Sequence, residues 1–181
     1  YVDRIQGPQR QHLEQDVGDF VLLRADGQFA YQLAVVIDDA WQGITDVVRG
    51  ADLLDSTPRQ IWLQRCLGVG TPTYAHLPVV TDRTGAKLSK QTLAPPLQPG
   101  GVAGQLVAAL GFLGQSPPAG LDRAAVGEVW TWALAHWSLA TVPRCRGRMV
   151  NPGGVPRNPD ELASGEGHSR RDPPSAAPVH S

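Results

Sequence analysis

At 181 residues, with 41% apolar and 18% charged side chains, the chain has the length and composition of one ordinary globular domain. A formal net charge of −1 excludes a large positive field for non-specific nucleic-acid binding and leaves RNA recognition by shape open. No run approaches the roughly 18 continuous apolar residues of a membrane span, and Tyr1–Gly7 does not resemble a signal peptide. The two distant cysteines, Cys66 and Cys145, make neither a disulfide framework nor a Cys-x-x-Cys site, so a cytoplasmic protein with no membrane partner is expected.

In chain order, Asp19–Ala25 reads as a short strand closed by the turn Asp26-Gly27, and Phe29–Asp38 as a second strand, apolar on both faces. Asp38 and Asp39 then end that strand and cap a turn through Trp41–Gly43. Thr45–Arg49 is a third strand, closed by Gly50. The clearest helix follows, with Ser56 or Thr57 as N-cap, Pro58 in the first turn, an apolar face of Ile61, Leu63, Cys66 and Leu67, and Gly68 past its end. Its expected polar face is Arg59, Gln60, Gln64 and Arg65. Tyr74–Val80 reads as a strand, and the segment beyond it falls at the carboxyl end of a parallel sheet, where open α/β folds bind ligands.

Only two of the 16 basic side chains are lysine, and both lie in Lys87-Leu88-Ser89-Lys90-Gln91. A compact, flexible ammonium in an Arg-rich chain suits polyphosphate, and Asp82–Ala86 ahead of it is turn-forming with Gly85 as hinge. A solvated Lys-x-x-Lys turn fits the same pentapeptide. Beyond a Pro-rich joint, Val102, Leu106, Ala109, Leu110 and Leu113 predict one amphipathic helix, and Val126, Trp130, Ala133 and Trp137 another whose tryptophans pack in the core. From Pro143 onward Gly, Pro and Arg dominate and no apolar periodicity remains, which predicts a disordered tail.

The ordered series Gly18–Asp39, Gly43–Leu54, Thr57-Pro-Arg-Gln-Ile, His76-Leu-Pro and Lys87-Leu-Ser-Lys-Gln resembles the glutamyl and glutaminyl class I aminoacyl-tRNA synthetases over about Tyr1–Pro143. Lys87–Gln91 is similar to that class's Lys-Met-Ser-Lys-Ser signature loop, with Leu88 for Met and Gln91 for the last Ser. Within the family, Phe29–Val36 and the signature loop are most similar to the shortened glutamyl-Q tRNA(Asp) branch, which joins glutamate to the queuosine base of tRNA(Asp). A fragment of a standard glutamyl-tRNA synthetase and a non-catalytic tRNA-binding remnant are the alternatives.

The resemblance implies an α/β fold: residues 1–92 as the second half of a Rossmann-like class I catalytic domain, 93–143 as a small helical region contacting the tRNA stem, and 144–181 as the tail. It implies that Tyr31 and Arg49 contact L-glutamate, that Lys90 binds ATP, and that Lys90 and Lys87 are catalytic, with Lys87 helping to hold the loop. ATP with Mg²⁺ is the expected cosubstrate, tRNA(Asp) the expected partner and a monomer the expected state. Arg49 has a structural alternative, an ion pair with Asp46 or Asp52, and Tyr31 could be a core aromatic. His76 is a candidate neighbour of the adenosine. The chain begins at Tyr1 and its only methionine is Met149, so it is expected to be the later part of a longer reading frame. The family's His-x-Gly-x segment, and the ligands of a zinc site common in it, would lie upstream. On that expectation the chain alone is inactive and zinc has no assigned ligands.

Overall fold

A computed structural model describes residues 1–88, 100–150 and 156–157. The chain opens with an antiparallel pair, β1 (Val2–Asp3) and β2 (Gly7–Pro8), followed by a single turn of helix, α1 (Leu13–Asp16). The Asp26-Gly27 turn forms as expected, with Leu23 bridged to Phe29.

Helix α2 (Tyr31–Gln42) then replaces the expected second strand. The Val35-Val36-Ile37 run favours a strand locally, but twelve uninterrupted residues ending at a left-handed Gly43 suit a helix, and packing against the next helix decides it. Val36 is its fully buried contact. Asp38 and Asp39 therefore lie within a helix and cap no turn.

The centre is a parallel β-α-β unit. Strand β3 (Asp46–Gly50) leads through a 3₁₀ segment, Ala51–Ser56, into α3 (Thr57–Leu67), which returns the chain to β4 (Thr73–Leu77). Pro58 in the first turn and left-handed Gly68 at the end bound α3 as its sequence predicts. Its faces are not as predicted: Gln60 and Gln64 are buried, while Cys66 and Leu67 are exposed. Pro78, which has no N–H for the ladder, divides the expected strand into β4 and β5 (Val79–Thr81).

Helices α4 (Val102–Phe112) and α5 (Val126–His136) pack through Ala103, Leu110, Val129 and Ala133. The buried stripe of α5 is thus set by Val129 and Ala133, and Trp130 and Trp137 are exposed at its margin, contrary to expectation. Buried Gln115 ties the two helices together. Its amide nitrogen donates to the Ser138 carbonyl at 3.1 Å and the Thr141 hydroxyl at 2.9 Å, and its oxygen accepts the Ser138 N–H at 2.9 Å.

Order continues past residue 144. Strand β6 (Gly147–Val150) runs parallel to β5, and β7 (Pro156–Arg157) pairs antiparallel with β6. The open backbone edge of β5 supplies hydrogen bonds that side-chain periodicity cannot reveal. Gly147 permits the approach, since a Cβ there would lie 2.6 Å from the Thr81 methyl. Arg148 is buried against the Phe112 ring and donates to the Phe112 carbonyl, and Arg146 forms two 2.7 Å bonds with Asp55. The rest of the expected tail lies outside the described residues.

Candidate active site

The register of the central unit places Arg49 of β3 directly beside His76 of β4. Neighbouring residues across a ladder point to one face, so two distant sequence segments meet there. Arg49 Nε donates to His76 Nε2 at 3.0 Å, and its Nη2 donates to the Thr57 hydroxyl at 2.7 Å and the Gln60 amide oxygen at 2.8 Å. The guanidinium lies over the Tyr74 ring, 5.4 Å from its centroid. Gln60 in turn donates to the Gln32 oxygen at 2.9 Å, and Gln32 donates to the Ser56 hydroxyl at 3.1 Å.

Behind Arg49 lies a wholly buried pair. His76 Nδ1 is 2.6 Å from Asp3 Oδ2, while Asp3 Oδ1 accepts the backbone N–H groups of Ile5 at 3.0 Å, Gln6 at 2.8 Å and His76 at 3.2 Å. Burial pushes the His76 pKa down, so the imidazole is neutral near neutral pH. Burial opposes charge on Asp3 too, but hydrogen bonds from His76 and from the Gln6, Ile5 and His76 backbone hold its carboxyl below the usual range. His76 therefore has no exposed edge for adenosine, in contrast to expectation.

The two ion pairs that offered Arg49 a structural role are taken by other cations. Asp46 pairs with Arg4 at 3.2 Å and Asp52 with Lys87 at 2.6 Å. Among the described residues no carboxylate lies within ion-pair distance of Arg49, and its hydrogen-bond acceptors are all neutral. A guanidinium held by neutral acceptors keeps its charge available for an anion.

Tyr31 stands at the first position of α2, 50% exposed, not on a strand face and not in a core. Tyr31, Asp39 and Arg49 all act electrostatically on the Tyr74 hydroxyl, whose pKa burial pushes up. Desolvation raises the Asp39 pKa, and the Arg49 charge works against the rise.

Farther along the chain, β5 runs into a turn built by Asp82, whose carboxylate accepts the Thr84 hydroxyl at 2.6 Å, the Thr84 N–H at 2.8 Å and the Ala86 N–H at 3.0 Å. Bonds from Thr84 hold that carboxyl below the usual range. The turn sends Lys87 and Leu88 back along β5, with Leu88 N–H donating to the Val80 carbonyl at 2.9 Å. Ser89, Lys90 and Gln91 lie outside the described residues. Among the described residues no group of three or more His, Cys, Asp or Glu side chains is placed to hold a metal ion, and no helix is long and apolar enough to cross a membrane.

Sequence reasoning missed Asp3, Gln32, Thr57 and Gln60 as parts of the site. Asp3 and His76 carry no local signal, being joined only by tertiary structure. The buried His76 also yields a testable consequence. An unfolded histidine protonates near pH 6.5 while the folded one resists, so stability declines as pH falls through about 6.5, by at most roughly 1.4 kcal/mol per pH unit for one proton. Asp3, Arg49 and Asp52 are the charged groups acting on the ring. Denaturant midpoints between pH 7.5 and 5 should fall accordingly, and a flat profile would mean that the folded ring accepts the proton freely.

The sequence model for "tRNA synthetases class I (E and Q), catalytic domain" matches residues 3–105. Among curated relatives, the glutamyl-Q tRNA(Asp) synthetase of Dechloromonas aromatica is 65% identical over 144 residues, 80% of this chain and 48% of the relative. The protein of that name from Aromatoleum aromaticum is 63% identical over 80% of this chain and 46% of the relative. The Pseudomonas aeruginosa protein of that name is 56% identical over 80% and 50%. The chain thus spans about half the length of these curated relatives. The glutamate-tRNA synthetase structure from Elizabethkingia anophelis superposes with a TM-score of 0.64 at 22% identity, over 85% of this chain and 34% of that one. A glutamate tRNA ligase from Elizabethkingia meningosepticum, solved with its amino acid, gives 0.63 at 24%, over 85% and 34%, and both establish likeness of fold. The match across residues 3–105 makes this chain a member of the class I glutamyl and glutaminyl tRNA synthetase family.

Proposed function

We propose that the chain forms the glutamate-holding part of an ATP-dependent ligase that attaches glutamate to the queuosine base of tRNA(Asp). The observation that carries this reading is 56–65% identity over about 144 residues to relatives named for that activity. The geometry is in keeping with it. Arg49, with its charge unpaired by any described carboxylate, suits the carboxylate of glutamate, and Tyr31, half exposed at the start of α2, has a hydroxyl to offer the same ligand.

ATP and Mg²⁺ serve class I synthetases in general, and in this proposal Lys90 meets the ATP phosphates from the signature loop. A glutamate carboxylate oxygen attacks the α-phosphorus, the bond to pyrophosphate breaks, and glutamyl-adenylate forms. Mg²⁺ and Lys90 offset the charge building on the leaving pyrophosphate. Lys87 ties the start of the loop to Asp52. Attachment to a base and not to the 3′ end is what separates this reading from standard glutamyl-tRNA synthesis, which the names of the structural neighbours keep as the second reading.

The test is a hybrid enzyme in which this chain replaces the matched half of the Dechloromonas aromatica relative. Given ATP and labelled glutamate, it should label tRNA(Asp) that contains queuosine and leave queuosine-free tRNA(Asp) unlabelled. Nuclease mapping should place the label in the anticodon fragment. Label on the 3′-terminal adenosine would overturn the proposal in favour of the second reading.

A further inference from the structure

We propose that His76, held by Asp3, is a positioning residue that orients the Arg49 guanidinium toward the glutamate carboxylate. The inference rests on the reading of Arg49 given above and goes beyond it by assigning a task to the buried pair behind it. Arginine can only donate hydrogen bonds, so the 3.0 Å contact from Arg49 Nε requires a lone pair on His76 Nε2. The ring proton must then sit on Nδ1, where Asp3 Oδ2 accepts it at 2.6 Å. Three backbone N–H groups commit the other Asp3 oxygen, so the carboxylate cannot turn away. The strand pair at the start of the chain thereby selects one imidazole tautomer, and that tautomer selects the direction of Arg49 Nε.

The remaining contacts fix the plane. Nη2 is occupied by Thr57 and Gln60, and the Tyr74 ring lies beneath the guanidinium. Among the described residues Nη1 donates no hydrogen bond, so that nitrogen is the donor left for a ligand. The lowered pKa of His76 agrees with a neutral, accepting ring. A merely structural histidine would need none of this directionality toward an arginine.

The decisive variant is Asp3→Asn, which preserves shape. Its oxygen can still take the three backbone N–H groups, but its NH₂ now faces Nδ1 and favours the other tautomer. That tautomer turns Nε2–H toward Arg49 Nε–H, donor against donor, and toward the Thr57 hydroxyl 3.2 Å away, so Nε2 no longer accepts from Arg49. In the 181-residue chain, ring ¹⁵N spectra should show a protonated Nδ1 and a bare Nε2, and the reverse in Asp3→Asn. In the hybrid enzyme, Asp3→Asn should raise the glutamate KM about tenfold or more while the ATP KM changes less than about twofold.

His76→Gln serves as a second probe, because its amide oxygen can accept from Arg49 without Asp3. Its glutamate KM should fall nearer the parent value than that of His76→Leu. A protonated Nε2 in the unaltered chain would overturn the proposal, as would equal glutamate KM values for His76→Gln, His76→Leu and the parent. If Arg49→Ala shifts the glutamate KM and these variants do not, the positioning role alone fails. If Arg49→Ala also leaves it unmoved, the reading of the glutamate site fails with it.

Discussion

In the hybrid enzyme, Arg49→Ala raises the glutamate KM by about 10- to 100-fold, the effect expected when a charged hydrogen-bonding group worth about 1.5–3 kcal/mol is removed from a ligand. The magnitude follows from what surrounds the guanidinium. Its partners within the protein are an imidazole, a hydroxyl and an amide, none of which neutralises it. Asp46 and Asp52, which could have done so, are held by Arg4 and Lys87. Arg49→Lys should recover little, because an ammonium restores the charge without the fork that bonds His76, Thr57 and Gln60 at once. Thermal unfolding measured alongside separates the two roles. An unchanged glutamate KM with a lowered melting temperature would show Arg49 to be structural.

Lys90→Ala should act on turnover. Removing one donor aimed at developing charge typically costs about 10²- to 10³-fold in kcat, and this is the expected loss in glutamate-dependent ATP–pyrophosphate exchange. The glutamate KM should change by no more than a few-fold, since Arg49 and Tyr31 are untouched. Pre-steady-state formation of the adenylate gives the direct reading, and a variant that forms it at the parent rate would remove Lys90 from the chemical step. In this proposal Lys90 is the lysine that meets ATP, and Lys87 has another partner. Lys87 is bonded to Asp52, and the Asp82 turn and the Leu88–Val80 bond hold the entry to the loop in line with β5.

The parts of this fold that could be read from sequence are those whose causes are local. Pro58 and Gly68 bracket α3, and Gly50 closes β3, where a Cβ would clash with the Asp52 carboxylate. Helix α2 was illegible because β-branched Val35, Val36 and Ile37 satisfy a strand pattern as well as a helical one. Contact with α3 decides between them. Gln60 and Gln64 look like surface residues until their partners are known: Gln60 is buried because Arg49 and Gln32 take its amide, and Gln64 because it donates to the Tyr74 hydroxyl at 2.9 Å. The resemblance points to Arg49 but not to the pair behind it. Asp3 and His76 lie 73 positions apart, and neither residue's neighbours announce the other.

The placement of β6 has a consequence for how damage would propagate through the molecule. This strand lies alongside β5, the launching strand of the signature loop, and Arg146 anchors it to the segment that follows β3. A premature stop codon just after Arg144 would spare every residue assigned to glutamate or ATP. It would still strip β5 of its parallel neighbour and leave the loop that follows on an unsupported strand. Loss-of-function alleles should therefore also fall in residues 145–150, outside the positions proposed to hold glutamate or ATP.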